Sequence, residues 1–157
     1  MTEERDRAAA SVVVRPLREH DAAAWRRLFA EYGAFYGSDF SDEVLDRVWA
    51  IVVDPAGAVN AFVGEFDGEV VGFAHYRSHP DTFSGELDWF LDDLYTAEAA
   101  RGHGVATALI ERLTAKARAT APHGSLRWIT AADNARAQRV YDTVATRTTW
   151  VTYEVRL

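Results

Sequence analysis

Residues 100–110 read ARGHGVATALI: an arginine, two glycines flanking a histidine, then a run with helical periodicity. Glycine loses more backbone entropy on folding than any other residue, so Gly102 and Gly104 ahead of a helix mark positive φ or a close approach to the backbone. Downstream, Ala106, Leu109, Ile110, Leu113 and Ala117 share one face of a helix predicted from Val105 to Thr120, which Pro122 and Gly124 stop. A helix N-terminus presents unpaired N–H groups and a partial positive charge. The glycines would let an anion reach those groups and Arg101 adds a full charge, a cradle suited to phosphate or pyrophosphate. The same glycines would also serve a helix start that merely needs a turn. The segment is not a Walker loop, because Gly-Lys-Ser/Thr is absent. It is also a poor dinucleotide fingerprint, because Thr107 stands where the third glycine would fall.

Working outward from this loop, VVVRPL (12–17) is a β-branched run stopped by Pro16 and reads as a first strand. Asp21 is expected to cap a helix carrying Trp25, Leu28, Phe29, Tyr32, Phe35 and Tyr36 at helical spacing. A second helix is expected after Ser41, with Val44, Leu45, Val48, Trp49 and Val52 as its buried stripe, ending at Asp54-Pro55. The runs 59–66 and 69–77 flank Asp67-Gly68 and predict a hairpin. GELDWFLDDLY (85–95) reads as a strand leading into the loop, and SLRWIT (125–130) as a strand beyond the helix. Asn134 can cap a short helix bearing Ala137, Val140, Tyr141 and Val144. The segment RTTWVTYEVRL (147–157) alternates like a final strand or a bent pair of strands. The order β-α-α-β-β-β-α-β-α-β predicts an α/β or α+β fold with a central mixed sheet over 12–157, preceded by a frayed tail at 1–11.

The totals narrow the function. A chain of 157 residues with 48% apolar and 26% charged residues has ordinary globular composition and can bury a sizeable core. The net charge of −7 argues against general nucleic-acid binding and leans toward cationic substrates. No cysteine is present, which removes disulfide and thiolate chemistry and fits a reducing, cytoplasmic compartment. No apolar run approaches the ~20 residues of a membrane span. His75 and His79 have no evident companions for a metal, so none is expected.

The motif ARGHGVATALIERL resembles the acetyl-coenzyme A signature of the GNAT superfamily of N-acetyltransferases, Arg/Gln-x-x-Gly-x-Gly/Ala, with Arg101, Gly104 and Ala106 on the pattern. LDDLYTAEAARG before it and WITAADNARAQRVYD after it fit the same family in order and distance, so the resemblance covers nearly all of 12–157. The segments look most like the branch of yeast histone, polyamine and D-amino-acid acetyltransferases and their bacterial relatives. The resemblance implies a mostly antiparallel mixed sheet whose fourth and fifth strands splay apart to admit acetyl-coenzyme A. It implies that backbone groups of Leu94, Tyr95 and Thr96 pair with the pantetheine arm. The amides of Arg101, Gly102, His103, Gly104, Val105 and Ala106 would then wrap the pyrophosphate. Asn134 falls where relatives hydrogen-bond the cofactor arm, a role it could combine with capping. Arg136 and Arg139 could meet the cofactor's negative tail, although Arg136 fits a solvated helix face better.

By the same resemblance Tyr141 donates a proton or hydrogen bond as the thiolate leaves; without it, Tyr141 reads as a core aromatic. Asp92 and Asp93 point to opposite faces if their strand is regular. Relatives carry Glu-Asp here with the first acid facing substrate, often through a water, which implies Asp92 as general base or amine-orienting group and Asp93 as structural, capping or bonding backbone near the strand bulge that the family has here. Tyr36 and Asp39 are the candidates for acceptor binding. Thr149-Trp150 replaces the Gly-Phe found in many members, so the entry into the last strand is expected to differ. The implied reaction is acetyl transfer to a primary amine of a small molecule or peptide by direct attack. The final strand could pair across a homodimer. The alternative is a GNAT fold that senses an acyl-coenzyme A without catalysis.

Overall fold

The computed structural model describes residues 11–157, so the tail expected at 1–11 lies outside the described residues except for Ser11. Five strands form one sheet in the order β1-β2-β3-β4-β5. They are β1 (Val12–Pro16), β2 (Asn60–Phe66), β3 (Glu69–Pro80), β4 (Leu87–Thr96) and β5 (Leu126–Arg127). The first four pair antiparallel and β5 lies parallel to β4. The sheet is therefore mixed and mostly antiparallel, as the sequence implied. Asp67 and Gly68 both adopt positive φ at the β2–β3 turn, the backbone a two-residue hairpin requires.

Both faces of the sheet are covered. On one side α1 (Ala22–Phe35) and α2 (Asp42–Val52) bury Trp25, Leu28, Phe29, Leu45 and Val52 against Ala61 and Phe73. On the other, α3 (Val105–Thr120) lays Val105, Leu109, Ile110, Leu113 and Ala117 over Phe62, Ala74, Tyr76 and Leu91. Each fully buried side chain of this size contributes about 1.5–3 kcal/mol. The double covering explains why Gly72 to Tyr76 is buried at every position rather than at alternate ones. The last helix, α4 (Ala135–Val144), packs on α3.

Three local readings change. Asp21 does not cap α1 with its side chain. A single 3₁₀ turn at Glu19–Asp21 precedes the helix. The Asp21 carboxylate instead accepts Arg18 N at 2.8 Å and both Arg15 guanidinium amines at 2.7 and 2.8 Å. The strand expected over 125–130 is reduced to Leu126–Arg127, because Trp128 leaves the ladder to meet Tyr141 edge-on. The final strand expected over 147–157 is not formed, and Trp150, Val151, Tyr153 and Val155 are exposed. Alternation forms a strand only when it is paired, and 147–157 pairs with none of the five strands.

One detail of packing sets the position of α3. Gly64 and Gly72 are directly opposed across β2 and β3. A Cβ on Gly64 would lie 2.8 Å from Val105 Cγ1, and one on Gly72 would lie 2.8 Å from Tyr95 O and 3.0 Å from Val105 Cγ1. The paired glycines form a saddle that lets the first turn of α3 sit directly on the sheet. Gly72→Ala is accordingly expected to destabilise the protein by about 1–3 kcal/mol, because the clash is partly with backbone and cannot relax cheaply. Urea unfolding checks this value.

Candidate active site

Splaying of the sheet creates the site. The β4–β5 ladder contains only the pairs Trp89–Leu126 and Phe90–Arg127, so from Leu91 onward β4 has one edge without a strand beside it. Leu94, Tyr95 and Thr96 pair on their other edge with Ala74, Phe73 and Gly72, leaving their outward backbone groups unpaired by any strand. A cavity of about 320 Å³ opens along this edge. Its walls come from α1 (Tyr32, Phe35, Tyr36), from β4 (Leu94, Tyr95, Thr96), and from the Arg101–Thr107 turn. Asn134, Arg136, Ala137, Val140 and Tyr141 close the far side.

The loop quoted at the outset accounts for its glycines here. Gly102 and Gly104 have φ of 84° and 81°, and nothing lies within 4 Å of the space a Cβ would occupy on either. Positive φ makes glycine the favoured residue, and the clear space leaves the backbone open to a ligand. No side chain caps α3, and the first amide to bond within the helix is that of Ala108, to Gly104 O at 2.9 Å. The amides of Val105, Ala106 and Thr107 therefore face the cavity end as free donors at a positive helix terminus. Arg101 Nε donates to Thr96 O at 3.1 Å, and its guanidinium lies 5.6 Å from the Tyr95 ring centroid. Thr96 Oγ1 has no hydrogen-bond partner among the described residues. Free amides, a nearby guanidinium and an unpaired strand edge suit a phosphorylated ligand with an amide-bearing arm, which is the chemistry of a coenzyme A derivative.

Several candidates converge and others do not. Tyr36, Leu94, Tyr95, Thr96, Arg101, Gly102, Gly104, Val105, Ala106, Asn134 and Tyr141 line the cavity, while Asp39, Asp92, His103 and Arg139 do not. His103 turns away: its ring lies tilted against Phe66 with centroids 4.4 Å apart, and Nδ1 donates to Ala100 O at 3.2 Å. Arg136, expected on a solvated face, takes the wall position rather than Arg139. Asn134 Oδ1 accepts Ala137 N at 3.3 Å, so the residue is an N-cap and a wall residue at once. Tyr141 stands edge-on to Trp128 at 5.4 Å between ring centroids. Burial, reinforced by the neighbouring Tyr36, pushes its phenol up to about 12.

The acidic pair departs most from the sequence reading. Leu91 pairs with Tyr76 and Asp93 with His75, so Asp92 is the extra residue of a β-bulge. The strand is not regular, and both carboxylates fall on the α1 side rather than on opposite faces. Asp92 accepts from Arg77 Nε at 3.0 and 3.1 Å, away from the cavity. Asp93 reaches inward to Tyr32 Oη at 2.8 Å and His75 Nδ1 at 2.9 Å. The bulge itself is the one the resemblance implied; that Asp93 rather than Asp92 reaches inward goes with its partners on α1 and β3. Trp49 packs on Trp25 in the core at 5.2 Å. Phe35 and Tyr36 are about half exposed at the cavity, so the aromatic stripe of α1 extends beyond what the core needs. No group of three or more His, Cys, Asp or Glu among the described residues could hold a metal.

A sequence model of the acetyltransferase (GNAT) family matches residues 25–144. The chain is 35% identical over 147 residues to the D-amino-acid N-acetyltransferase HPA3 of Saccharomyces cerevisiae, covering 91% of this chain and 89% of that one. The chain belongs to the GNAT acetyltransferase family and is an acyl-coenzyme A-dependent N-acetyltransferase. Solved structures agree in fold. A ribosomal-protein-alanine N-acetyltransferase from Brucella melitensis biovar Abortus 2308 superposes with a TM-score of 0.78 at 24% identity over 94% of this chain and 99% of that one. The aminoglycoside acetyltransferase AAC(6')-Iy, solved with a bisubstrate coenzyme A analogue, gives 0.77 at 18% identity over 94% and 99%.

Because Asn134 caps the helix that carries Tyr141, Asn134→Ala is expected to cost about 1 kcal/mol. Asn134→Asp, which keeps a capping oxygen, should retain most of that stability. Chemical denaturation of the two variants beside wild type reads the difference.

Proposed function

We propose that this chain, as one catalytic domain over 12–157, transfers acetyl from acetyl-coenzyme A to a primary amine of a small molecule or peptide by direct attack. The observation that carries the reading is that the free α3 amides, the unpaired β4 edge and the Tyr141 phenol all line one cavity. Bound there, acetyl-coenzyme A would supply a thioester carbonyl for the amine and a thiolate leaving group. The amides and glycine turn from Arg101 to Ala106 hold the pyrophosphate, and Leu94, Tyr95 and Thr96 hold the arm as a short added strand. Asn134 and Arg136 bound its other side. Tyr141 gives its hydroxyl proton or a hydrogen bond to the departing sulfur. No cysteine is present to carry the acyl group, which supports direct attack. The named activity of the yeast relative supports a small-molecule amine as acceptor. Tyr36 stands at the acceptor end. Asp92 bonds Arg77 and does not line the cavity, so the proton that the amine loses goes to solvent in the open cavity rather than directly to that carboxylate.

The exposed alternating segment 147–157 has the pattern of an edge strand seeking a partner, and we assign it to pairing between two copies of the chain. Light scattering should give a homodimer for the full chain and a monomer after removal of 147–157. No helix among the described residues is long and apolar enough to cross a membrane. The cysteine-free composition supports a cytoplasmic site of action.

Tyr141→Phe is expected to lower kcat at least about tenfold, a barrier rise of about 1.4 kcal/mol, with acetyl-coenzyme A binding little changed. Thiol release across a panel of amines, with calorimetry for cofactor binding, measures both. Equal kcat in the variant would remove the role of Tyr141; tight cofactor binding without turnover on any amine would make the chain a sensor. The donor is the protonated phenol, present below its raised pKa of about 12 and lost above it. Wild-type kcat should therefore show no Tyr141-dependent fall between about pH 7 and about pH 10.

A further inference from the structure

Asp21, His75 and Asp88 are the buried polar or charged side chains among the described residues. Asp21 pairs with Arg15, and His75 lies between Trp25 and Asp93. Asp88, 5% exposed at the start of β4, lies outside the cavity and has no part in the reaction proposed above. Its carboxylate reaches instead to the strand on the other side of the slot. Oδ1 accepts Ser125 N at 2.8 Å and Oδ2 accepts Arg127 Nη1, while Arg127 Nη2 donates to Ser125 Oγ at 3.3 Å. The backbones are closely joined around this clasp. Ser125 O accepts Trp89 N at 2.8 Å, and Gly124 passes so near Leu87 O that a Cβ would collide with it.

A clasp is needed here because the β4–β5 ladder is short. It has two residue pairs, and beyond Phe90–Arg127 the strands part to form the slot. A carboxylate held out of water keeps its donors in place, since an unpaired polar group costs far more there than in solvent. Asp88 thus fixes the end of β5, and with it the residue that follows. Trp128 leaves the ladder and meets the Tyr141 ring with centroids 5.4 Å apart and planes at 74°. That contact carries weight because α4, the helix that bears Tyr141, has no buried residue of its own. The Asn134 cap fixes where α4 begins, and the packing on Trp128 fixes how it rolls.

We infer that Asp88 is a positioning residue for Tyr141. Through Ser125 and Arg127 it sets the end of β5, and through Trp128 that position aims the phenol at the leaving sulfur. The carboxylate touches no ligand, so its effect on the reaction passes through Tyr141. The inference rests on the acetyl-transfer reading, in which the phenol serves the departing thiolate, and adds to it the device that holds the phenol in place.

The test makes Asp88→Asn, Arg127→Met and Trp128→Leu, each once with Tyr141 intact and once in the Tyr141→Phe background. Thiol release with an amine that wild type acetylates gives kcat, and calorimetry gives the acetyl-coenzyme A Kd. With Tyr141 present, each substitution should lower kcat by about fivefold or more and leave that Kd within about threefold. In the Tyr141→Phe background the same substitutions should lower kcat by less than about twofold, because residues that act through one group are not additive. A merely structural role would lower kcat equally in both backgrounds, and that result overturns the inference. An unchanged kcat in any of the three variants overturns it too, as does a raised Kd with kcat retained. If Asp88→Asn does not fold, Arg127→Met decides, since that side chain is half exposed. Tyr141→Phe equal to wild type sinks the role of Tyr141 and this inference together. Wild type inactive on every amine sinks the acetyl-transfer reading itself, whereas an active, Tyr141-dependent wild type with additive losses sinks this inference alone.

Discussion

The seating of Val105 over the opposed glycines Gly64 and Gly72 is the contact on which the site depends. Val105 is both the first residue of α3 and a wall of the cavity, so whatever fixes its depth also fixes how far the free helix amides stand from the β4 edge. Leu109, Ile110 and Leu113 then continue the same contact along the sheet and make the placement rigid. An anion site at a helix terminus works only if the terminus is held still, because hydrogen bonds weaken steeply with misalignment. Here the rigidity comes from an apolar stripe packed at close range.

The opposite face of the sheet is organised around polar atoms buried within aromatic rings. Trp25, Phe29 and Phe73 surround His75 with ring centroids 4.6 to 5.9 Å away. In that setting a histidine must satisfy both nitrogens, and it does so through the indole of Trp25 and the carboxylate of Asp93. The β4 bulge is the geometric consequence, since it turns Asp93 toward α1 while Leu91 and Leu94 remain packed with the α3 side. The two cores thus meet at the cavity through different chemistry. The α3 side presents the N–H groups of a helix start, and the α1 side presents the Tyr32 phenol bonded to Asp93.

Much of this was legible along the chain. The helix stripes, the Asp67-Gly68 turn, the Ser41 and Asn134 caps and the Arg-Gly-His-Gly loop depend on neighbours within a few residues, and the structure bears them out. The loop residues that line the cavity were identifiable because glycine at positive φ leaves a direct trace in sequence. Asp21 was read as a helix cap and not as the partner of Arg15, a residue on the preceding strand.

What the sequence by itself determined is most of the local elements, their order and a glycine-bearing helix start preceded by Arg101, since periodicity and capping act over one or two turns. The tertiary structure alone decided which acid faces inward, because a bulge is chosen by cross-strand partners and flips every later side chain of its strand. It also decided that His103 packs on Phe66 while Arg136 lines the cavity, choices set by which way a loop and a helix roll against their neighbours. Finally, it left 147–157 unpaired, because alternation alone does not choose which edge a segment joins.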